Sequence, residues 1–216
     1  MKSHALSFVA TLVLFLSANF VLAQEADKPT YKDGEWWKVK LERNLLEGVS
    51  STNCQSRYSE LMIKKENEKF NLYGVNGTNL ELMECPVIVA RFLGFVPEAQ
   101  REDFERYSST ATQYELVQFP LNVGKHWNNK IKRVNRRGKV SWSDIDYKVL
   151  SWDKVQSAKG EIEAFKIQLT WMGNAGQNSQ TYLYSPAIKG NVSFEIKTAE
   201  SRLHYRHTLI DWKVLE

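Results

Sequence analysis

From Tyr31 onward the chain alternates apolar and polar residues, and this alternation constrains its fold more than any other feature. Around Trp37, Val39 and Leu41 the apolar side chains share one face, and the charged residues between them take the other. A period of two is typical of a β-strand with one buried face. Similar runs recur to the C-terminus, which predicts roughly nine to eleven short strands with a turn about every 8 to 15 residues.

This pattern predicts an all-β protein with antiparallel pairing. The expected architecture is a strongly curved sheet, or a partly open barrel or sandwich, with one short helix. The helix is expected over residues 97–108, where Pro97 stands at a plausible first turn, acidic residues follow, and Phe104 and Tyr107 lie three apart. We therefore expect one β-rich domain over 31–216, in which this excursion joins the halves 31–96 and 111–216.

Three local predictions can be compared directly with a structure. Asn76-Gly77 is a strong hairpin signal between two strand patterns. The apolar run from Val87 to Phe95 favours a buried strand, and the polar run from Met172 to Ser179 favours a loop.

The first 23 residues have the pattern of an export signal. Lys2 gives a basic start, Ala5 to Phe20 is largely apolar, and the small residue Ala23 suits a signal-peptidase site. We expect cleavage after Ala23, a short polar lead over 24–30, and a periplasmic or secreted protein with no transmembrane segment once the signal is removed. The alternative is an uncleaved anchor, although the run is somewhat shorter than the ~20 residues that a spanning helix needs.

Cys54 and Cys85 are the only cysteines in the chain. In an oxidising compartment two thiols can persist as a disulfide, so we expect these two to pair. Closing a loop of about 32 residues would stabilise the fold by roughly 3 to 4 kcal/mol in the chain-entropy view. The alternative is a catalytic thiol, but no base lies beside either cysteine in the sequence.

The charge of the chain is unevenly distributed. Without residues 1–23 the chain carries 28 basic and 25 acidic groups, a net charge of +3. Residues 125–139 contain seven basic groups and no acid, so the remainder carries −4. The candidate surface-binding residues are the aromatic residue of this segment and most of its basic residues: Trp127, Lys130, Lys132, Arg133, Arg136, Arg137 and Lys139.

This basic segment is predicted to form a hairpin that approaches an anionic envelope surface, either lipid or polymer. The alternative is a solvated hairpin whose charges prevent edge-to-edge pairing of sheets. Nucleic acid is not an expected partner, because the protein is expected to be exported and its charge is otherwise balanced.

Three short motifs in the second half resemble a known family. They are Phe119-Pro120-Leu121 followed by Gly124-Lys125 and Trp127, the run 160–167 (GEIEAFKI), and Thr181 to Pro186 followed by Gly190-Asn191-Val192. Together they resemble exported bacterial domains of unknown function that are sometimes labelled TapB-like, although Leu183 stands where that family usually has Trp. The resemblance covers residues 119–200 and implies an exported β-rich domain without assigned catalytic residues.

The search for catalytic chemistry yields only weak candidates. The pairs Asp144/Asp146 and Glu161/Glu163 are two apart on strand patterns, a spacing that would allow acid–base work on a glycan. The alternative is a solvated outer face. His204 and His207 are three apart, which places them on opposite faces of a strand, so no metal site is predicted. No phosphate loop or nucleophile motif is present, and no cofactor is expected.

The sequence therefore favours a non-catalytic exported protein that binds an amphiphilic or envelope-derived ligand on a concave aromatic face. A structural or adaptor module for a protein partner in the envelope remains open, as does a hydrolase acting on glycans. These hypotheses differ in whether the aromatic face is a lined cavity or a filled core.

Overall fold

The structure is a computed structural model that describes residues 24–43, 58–107, 114–134, 140–173, 176–197 and 203–216. Within these ranges most residues belong to antiparallel strands, as the alternation predicts. In chain order the elements are β1 (Glu25–Ala26), β2 (Trp36–Arg43), β3 (Glu60–Glu66), β4 (Lys69–Asn76), β5 (Asn79–Met83), α1 (Pro86–Leu93), α2 (Arg101–Tyr107), β6 (Leu121–Asn122), β7 (His126–Val134), β8 (Val140–Ser157), β9 (Gly160–Gly173), β10 (Gly176–Ser185), β11 (Gly190–Lys197) and β12 (Leu203–Lys213).

Ten of these strands form one open sheet in the order β5-β4-β3-β2-β12-β11-β10-β9-β8-β7. Every neighbouring pair is antiparallel, and β2 pairs with β12, so the two halves of the chain meet in the middle of the sheet. The strands β1 and β6 form a separate two-stranded pair. The prediction of an antiparallel, partly open β architecture is confirmed.

The run from Val87 to Phe95 is not a strand, and that prediction is wrong. Residues 86–93 form α1, with Pro86 at the first position and Gly94 after the end at a φ of 83°. Proline suits a helix start and a left-handed glycine suits a helix end. A short run that is apolar throughout cannot reveal its period, because a fully buried helix and a buried strand have the same composition.

The helix α1 packs against both β4 and β11. Those two strands are four positions apart in the sheet, so on a flat sheet they would be separated by roughly 19 Å. A helix with its side chains is only about 10 to 12 Å wide. Its contacts with both strands therefore show that α1 covers the part of the sheet face between them.

Three further local predictions have clear outcomes. The helix expected over 97–108 is present as a 3-10 turn at Glu98–Gln100 followed by α2. The loop expected over Met172 to Ser179 is wrong, because β9 extends to Gly173 and β10 begins at Gly176, with Met172 opposite Gln177; residues 174–175 lie outside the described residues. Polar composition suggested a loop, but cross-strand pairing of half-exposed residues maintains the strands here. The hairpin at Asn76-Gly77 is confirmed, with Asn76 opposite Asn79.

Candidate functional site

The aromatic face of the sheet is filled by α1 instead of forming a lined cavity. The ring of Phe92 lies 5.5 Å from that of Trp37 and 6.1 Å from that of His207, measured between centroids. It also covers Gly190, where a Cβ would come within 2.6 Å of the phenyl ring. The Asn191 amide holds the end of α1 by donating hydrogen bonds to the carbonyl oxygens of Arg91 (2.8 Å) and Phe92 (3.0 Å).

A buried ion pair lies at one end of this filled face. Glu35 is fully buried, and its Oε1 lies 2.6 Å from Nζ of Lys189. The same carboxylate accepts hydrogen bonds from the backbone N–H groups of Leu215 (3.0 Å) and Lys32 (3.1 Å). The pair thus joins the segment before β2, the turn before β11 and the C-terminal residues, so its role is structural.

His207 is a second buried polar group on this face. It is fully buried with its ring 5.3 Å from that of Phe194, and neither ring nitrogen has a hydrogen-bond partner within the described part of the chain. Burial, together with the nearby charge of Arg91, lowers the pKa of His207 to about 3. The side chain is therefore neutral at physiological pH, which fits a packing residue.

We define the basic hairpin as β7, the start of β8 and the residues 135–139 that connect them in the sequence; its strand β7 lies at an edge of the sheet, because it is the last strand in the order. Lys130 is exposed on β7 and stands opposite Asp144 of β8. Lys132 and Arg133 belong to β7 by their backbone. Arg136, Arg137 and Lys139 lie outside the described residues.

Trp127 is buried, in contrast to the exposed Lys130. It is only 8% exposed, and its ring stacks on Tyr147 with centroids 4.9 Å apart. Lys125, at the start of the segment, donates hydrogen bonds to the carbonyl oxygens of Gln118 and Pro120 and lies over the Trp127 ring. Both residues thus anchor the base of the hairpin to the rest of the protein.

The exposed aromatic residue of the hairpin is Trp142, which the sequence analysis did not single out. Its side chain is 61% exposed, and Met172 on the next strand is 70% exposed. In the first half of β8 the odd-numbered residues Ile145, Tyr147 and Val149 are buried, whereas the even-numbered residues from Val140 to Leu150 are exposed. The alternation in the sequence could have indicated this exposure. Trp142 is two residues from Asp144, so both side chains lie on the same face of the strand.

The acidic pairs lie on the exposed surface. Asp144, Asp146, Glu161 and Glu163 are all exposed, and none of them lines either of the two described cavities. Asp146 accepts a hydrogen bond of 2.8 Å from the amide of Asn128 on β7, and Glu161 lies 3.1 Å from Lys154 across the β8–β9 pair. These contacts are those of solvated cross-strand pairs.

A small cavity lies between the β4–β5 edge and the helices. It has a volume of about 260 Å³ and is lined partly by Leu72, Met83, Val89 and Cys85. Gln100 closes one wall, and its amide bonds to both the N–H and the carbonyl of Phe70. Cys85 is buried and not a free cysteine. Its expected partner, Cys54, lies outside the described residues, so the pairing stays a prediction.

Two absences concern only the ranges that the structure describes. No helix there is both long and apolar enough to span a bilayer. No three His, Cys, Asp or Glu side chains come together there as a set of metal ligands.

No protein-family model matches the chain, and no curated protein matches it. The TapB-like resemblance of residues 119–200 therefore stays a prediction.

The chain has matches among solved structures. One, from Bacteroides fragilis, is described as an exported protein with a YmcC-like fold; it is 9% identical, with a TM-score of 0.37, over 87% of this chain and 99% of the other. A protein described as a lipoprotein, from Parabacteroides distasonis, is 10% identical with a TM-score of 0.38 over the same shares. The protein YmcC from Escherichia coli, described as a hypothetical lipoprotein, is 10% identical with a TM-score of 0.38, over 84% of this chain and 86% of the other.

Proposed function

We propose that this chain is an exported, non-catalytic protein of the cell envelope that attaches to an anionic envelope surface through its basic hairpin. The observation that carries this proposal is the position of the charge. The segment 125–139 holds seven basic groups and no acid, whereas the rest of the chain beyond residue 23 carries −4. Its strand β7 lies at an edge of the sheet. A dense cationic edge attracts phosphate and carboxylate groups and steers the protein toward them.

Export rests on the signal-like pattern of residues 1–23, with cleavage expected after Ala23 and release into the periplasm or the medium. The non-catalytic character is supported by the acidic pairs, whose exposed cross-strand positions offer no enclosed space for a substrate. A glycan hydrolase using Asp144/Asp146 or Glu161/Glu163 would need a cleft that closes over these residues.

The amphiphilic ligand expected from the sequence would need a different place. The helix α1 covers the aromatic face, and the cavity beside β4 and β5 holds only about 260 Å³. That volume is below the range of roughly 300 to 1,000 Å³ that is usual for sites of drug-sized ligands. The outer surface of the basic hairpin is the better-supported place for contact with lipid or polymer.

A second candidate function is that of an adaptor for a protein partner. The observation that favours it is the opposite edge of the sheet, where Leu80 and Leu82 of β5 are 40% and 61% exposed. Exposed apolar residues on an edge strand are a feature of surfaces that receive another chain.

The test of the primary proposal is reversal of charge at the hairpin tip. The double variant Arg136→Glu/Arg137→Glu should bind vesicles of phosphatidylethanolamine and phosphatidylglycerol (3:1) at least tenfold more weakly than the wild type in a sedimentation assay. The control Lys69→Glu/Lys213→Glu changes the net charge equally at two exposed residues outside the hairpin. Equal losses for both variants would show that the position of the charge is irrelevant and would contradict the proposal.

A further inference from the structure

We propose that the outer face at the tip end of β7, β8 and β9 is a membrane-binding surface, which docks on an anionic phospholipid bilayer with Trp142 and Met172 inserted among the headgroups. This inference rests on the proposed function and deepens it. It names the anionic surface as a bilayer and assigns apolar anchors to the contact.

The first support is exposure. Trp142 is 61% and Met172 70% exposed, although both are large apolar side chains. A single exposed apolar residue is ordinary on a protein surface. Here two of them stand on neighbouring strands at the same end of the sheet, next to the most basic segment of the chain.

The second support is the register of the strands. Asp146 pairs with Thr170, so Met172, two residues beyond Thr170, lies on the same face and toward the same end as Trp142. Trp142 is only two residues from Val140, which is the first residue of β8 after the hairpin tip and is itself 47% exposed. The apolar groups therefore share one outer face close to the tip.

The third support is the charge around these residues. Lys132 stands opposite Trp142 in the register, and Lys130 stands opposite Asp144. In the sequence, the five residues between the two strands include Arg136, Arg137 and Lys139. Asp144 lies roughly 7 Å along β8 from Trp142 and, by the register that pairs Asp146 with Thr170, level with Met172; Lys130 stands opposite it on β7.

This combination fits a bilayer better than a soluble polymer. Basic side chains alone are sufficient to hold an anionic polymer. Indole and thioether side chains gain free energy only when an apolar environment covers them, and Trp favours the boundary between headgroups and acyl chains. Interfacial binding grows with the apolar area that is buried and with attraction to anionic lipid, and this face offers both.

Vesicle binding of surface variants tests the inference. The protein is purified after export by the producing cell and is mixed with vesicles of phosphatidylethanolamine and phosphatidylglycerol (3:1) or of phosphatidylcholine. Trp142→Ser should weaken binding to the anionic vesicles about tenfold, and adding Met172→Ser should weaken it further. Trp142→Phe should retain most of the binding, because an aromatic anchor is kept.

The matched control is Leu82→Ser, which removes an equally exposed apolar residue (61%) from the far edge of the sheet. It should change vesicle binding less than twofold. Vesicles containing brominated lipid should quench a component of the tryptophan fluorescence in the wild type that is missing in Trp142→Phe. Near-ultraviolet circular dichroism of each variant verifies that the fold is retained.

The outcomes separate this inference from the proposed function. If Trp142→Ser/Met172→Ser binds anionic vesicles as the wild type does while Arg136→Glu/Arg137→Glu does not, the bilayer anchor is wrong and the electrostatic function survives. If neither variant changes binding, both proposals are wrong. Loss of vesicle binding in the serine variants, with unchanged binding to dextran sulfate as a soluble polyanion, supports the inference.

Discussion

Two regions of the same sheet differ in what covers their faces. Around α1 the inner face is closed by a helix that reaches β4 and β11, and its polar groups, Glu35 and His207, are fully buried. At the tip end of β7, β8 and β9, Trp142 and Met172 are exposed on the outer face. The first region has the features of a scaffold that determines stability, and the second is the surface that we propose as the membrane contact.

The largest effect on stability is expected at Phe92. Phe92→Ala should lower the free energy of unfolding by about 4 kcal/mol, because it empties the space between Trp37, Gly190 and His207. Urea denaturation followed by fluorescence measures the change. A loss below about 1 kcal/mol would mean that α1 does not fill the face of the sheet as described.

A slightly smaller loss is expected at the buried ion pair. Glu35→Gln should cost about 3 kcal/mol, since it leaves the ammonium group of Lys189 without its buried counter-charge. The matched control is Asp211→Asn, whose partner Lys159 is equally close at 2.6 Å but about half exposed. The control should cost less than about 1 kcal/mol, and similar losses at the two pairs would refute a structural role for Glu35.

His207 should make the scaffold region sensitive to acid. The unfolded chain binds a proton at this residue below about pH 6.5, whereas burial keeps the folded residue neutral down to about pH 3. Its contribution to stability is therefore complete above pH 6.5 and decreases as the pH falls toward 3, by about 2 kcal/mol at pH 5. In the wild type, the free energy of unfolding should therefore be lower at pH 5 than at pH 7.5, in part because of His207. His207→Leu should make this decrease smaller by the contribution of His207. A decrease as large as in the wild type would show that His207 does not contribute to it.

The smallest effect on stability is expected at the exposed end of the hairpin. Trp142→Ser should change the free energy of unfolding by less than about 0.5 kcal/mol, because the side chain is largely in water. A loss comparable to that of Phe92→Ala would show that Trp142 belongs to the core and would remove the distinction between the two regions.

The strands were predictable because most of them expose one face, and half-exposed strands show a period of two. The segment Trp37 to Leu41 illustrates this, with its odd residues buried. The helix α1 was not predictable, because all but one of its residues are buried and its sequence therefore shows no alternation of either period. Only Pro86 at its start and Gly94 after its end indicated a helix. The apolar run between them favoured a buried strand, and the prediction followed that run.

In the candidate binding surface, too, some features could be predicted from the sequence and others could not. The basic residues were visible in the sequence because their charge does not depend on the fold. The exposure of the aromatic residues near them was not visible in the sequence, because only the strand register places Trp127 inside the protein and Trp142 outside. The pairing of Met172 with this surface depends on strands β8 and β9 together, which no single segment of sequence reveals.

Hydrogen–deuterium exchange with and without vesicles of phosphatidylethanolamine and phosphatidylglycerol tests the central claim most directly. The account predicts that anionic vesicles slow exchange in peptides from β7 and the first half of β8, and leave peptides from α1 and β4 unchanged. Protection confined to peptides around the cavity of Leu72, Met83 and Val89, with none in the hairpin, would contradict it.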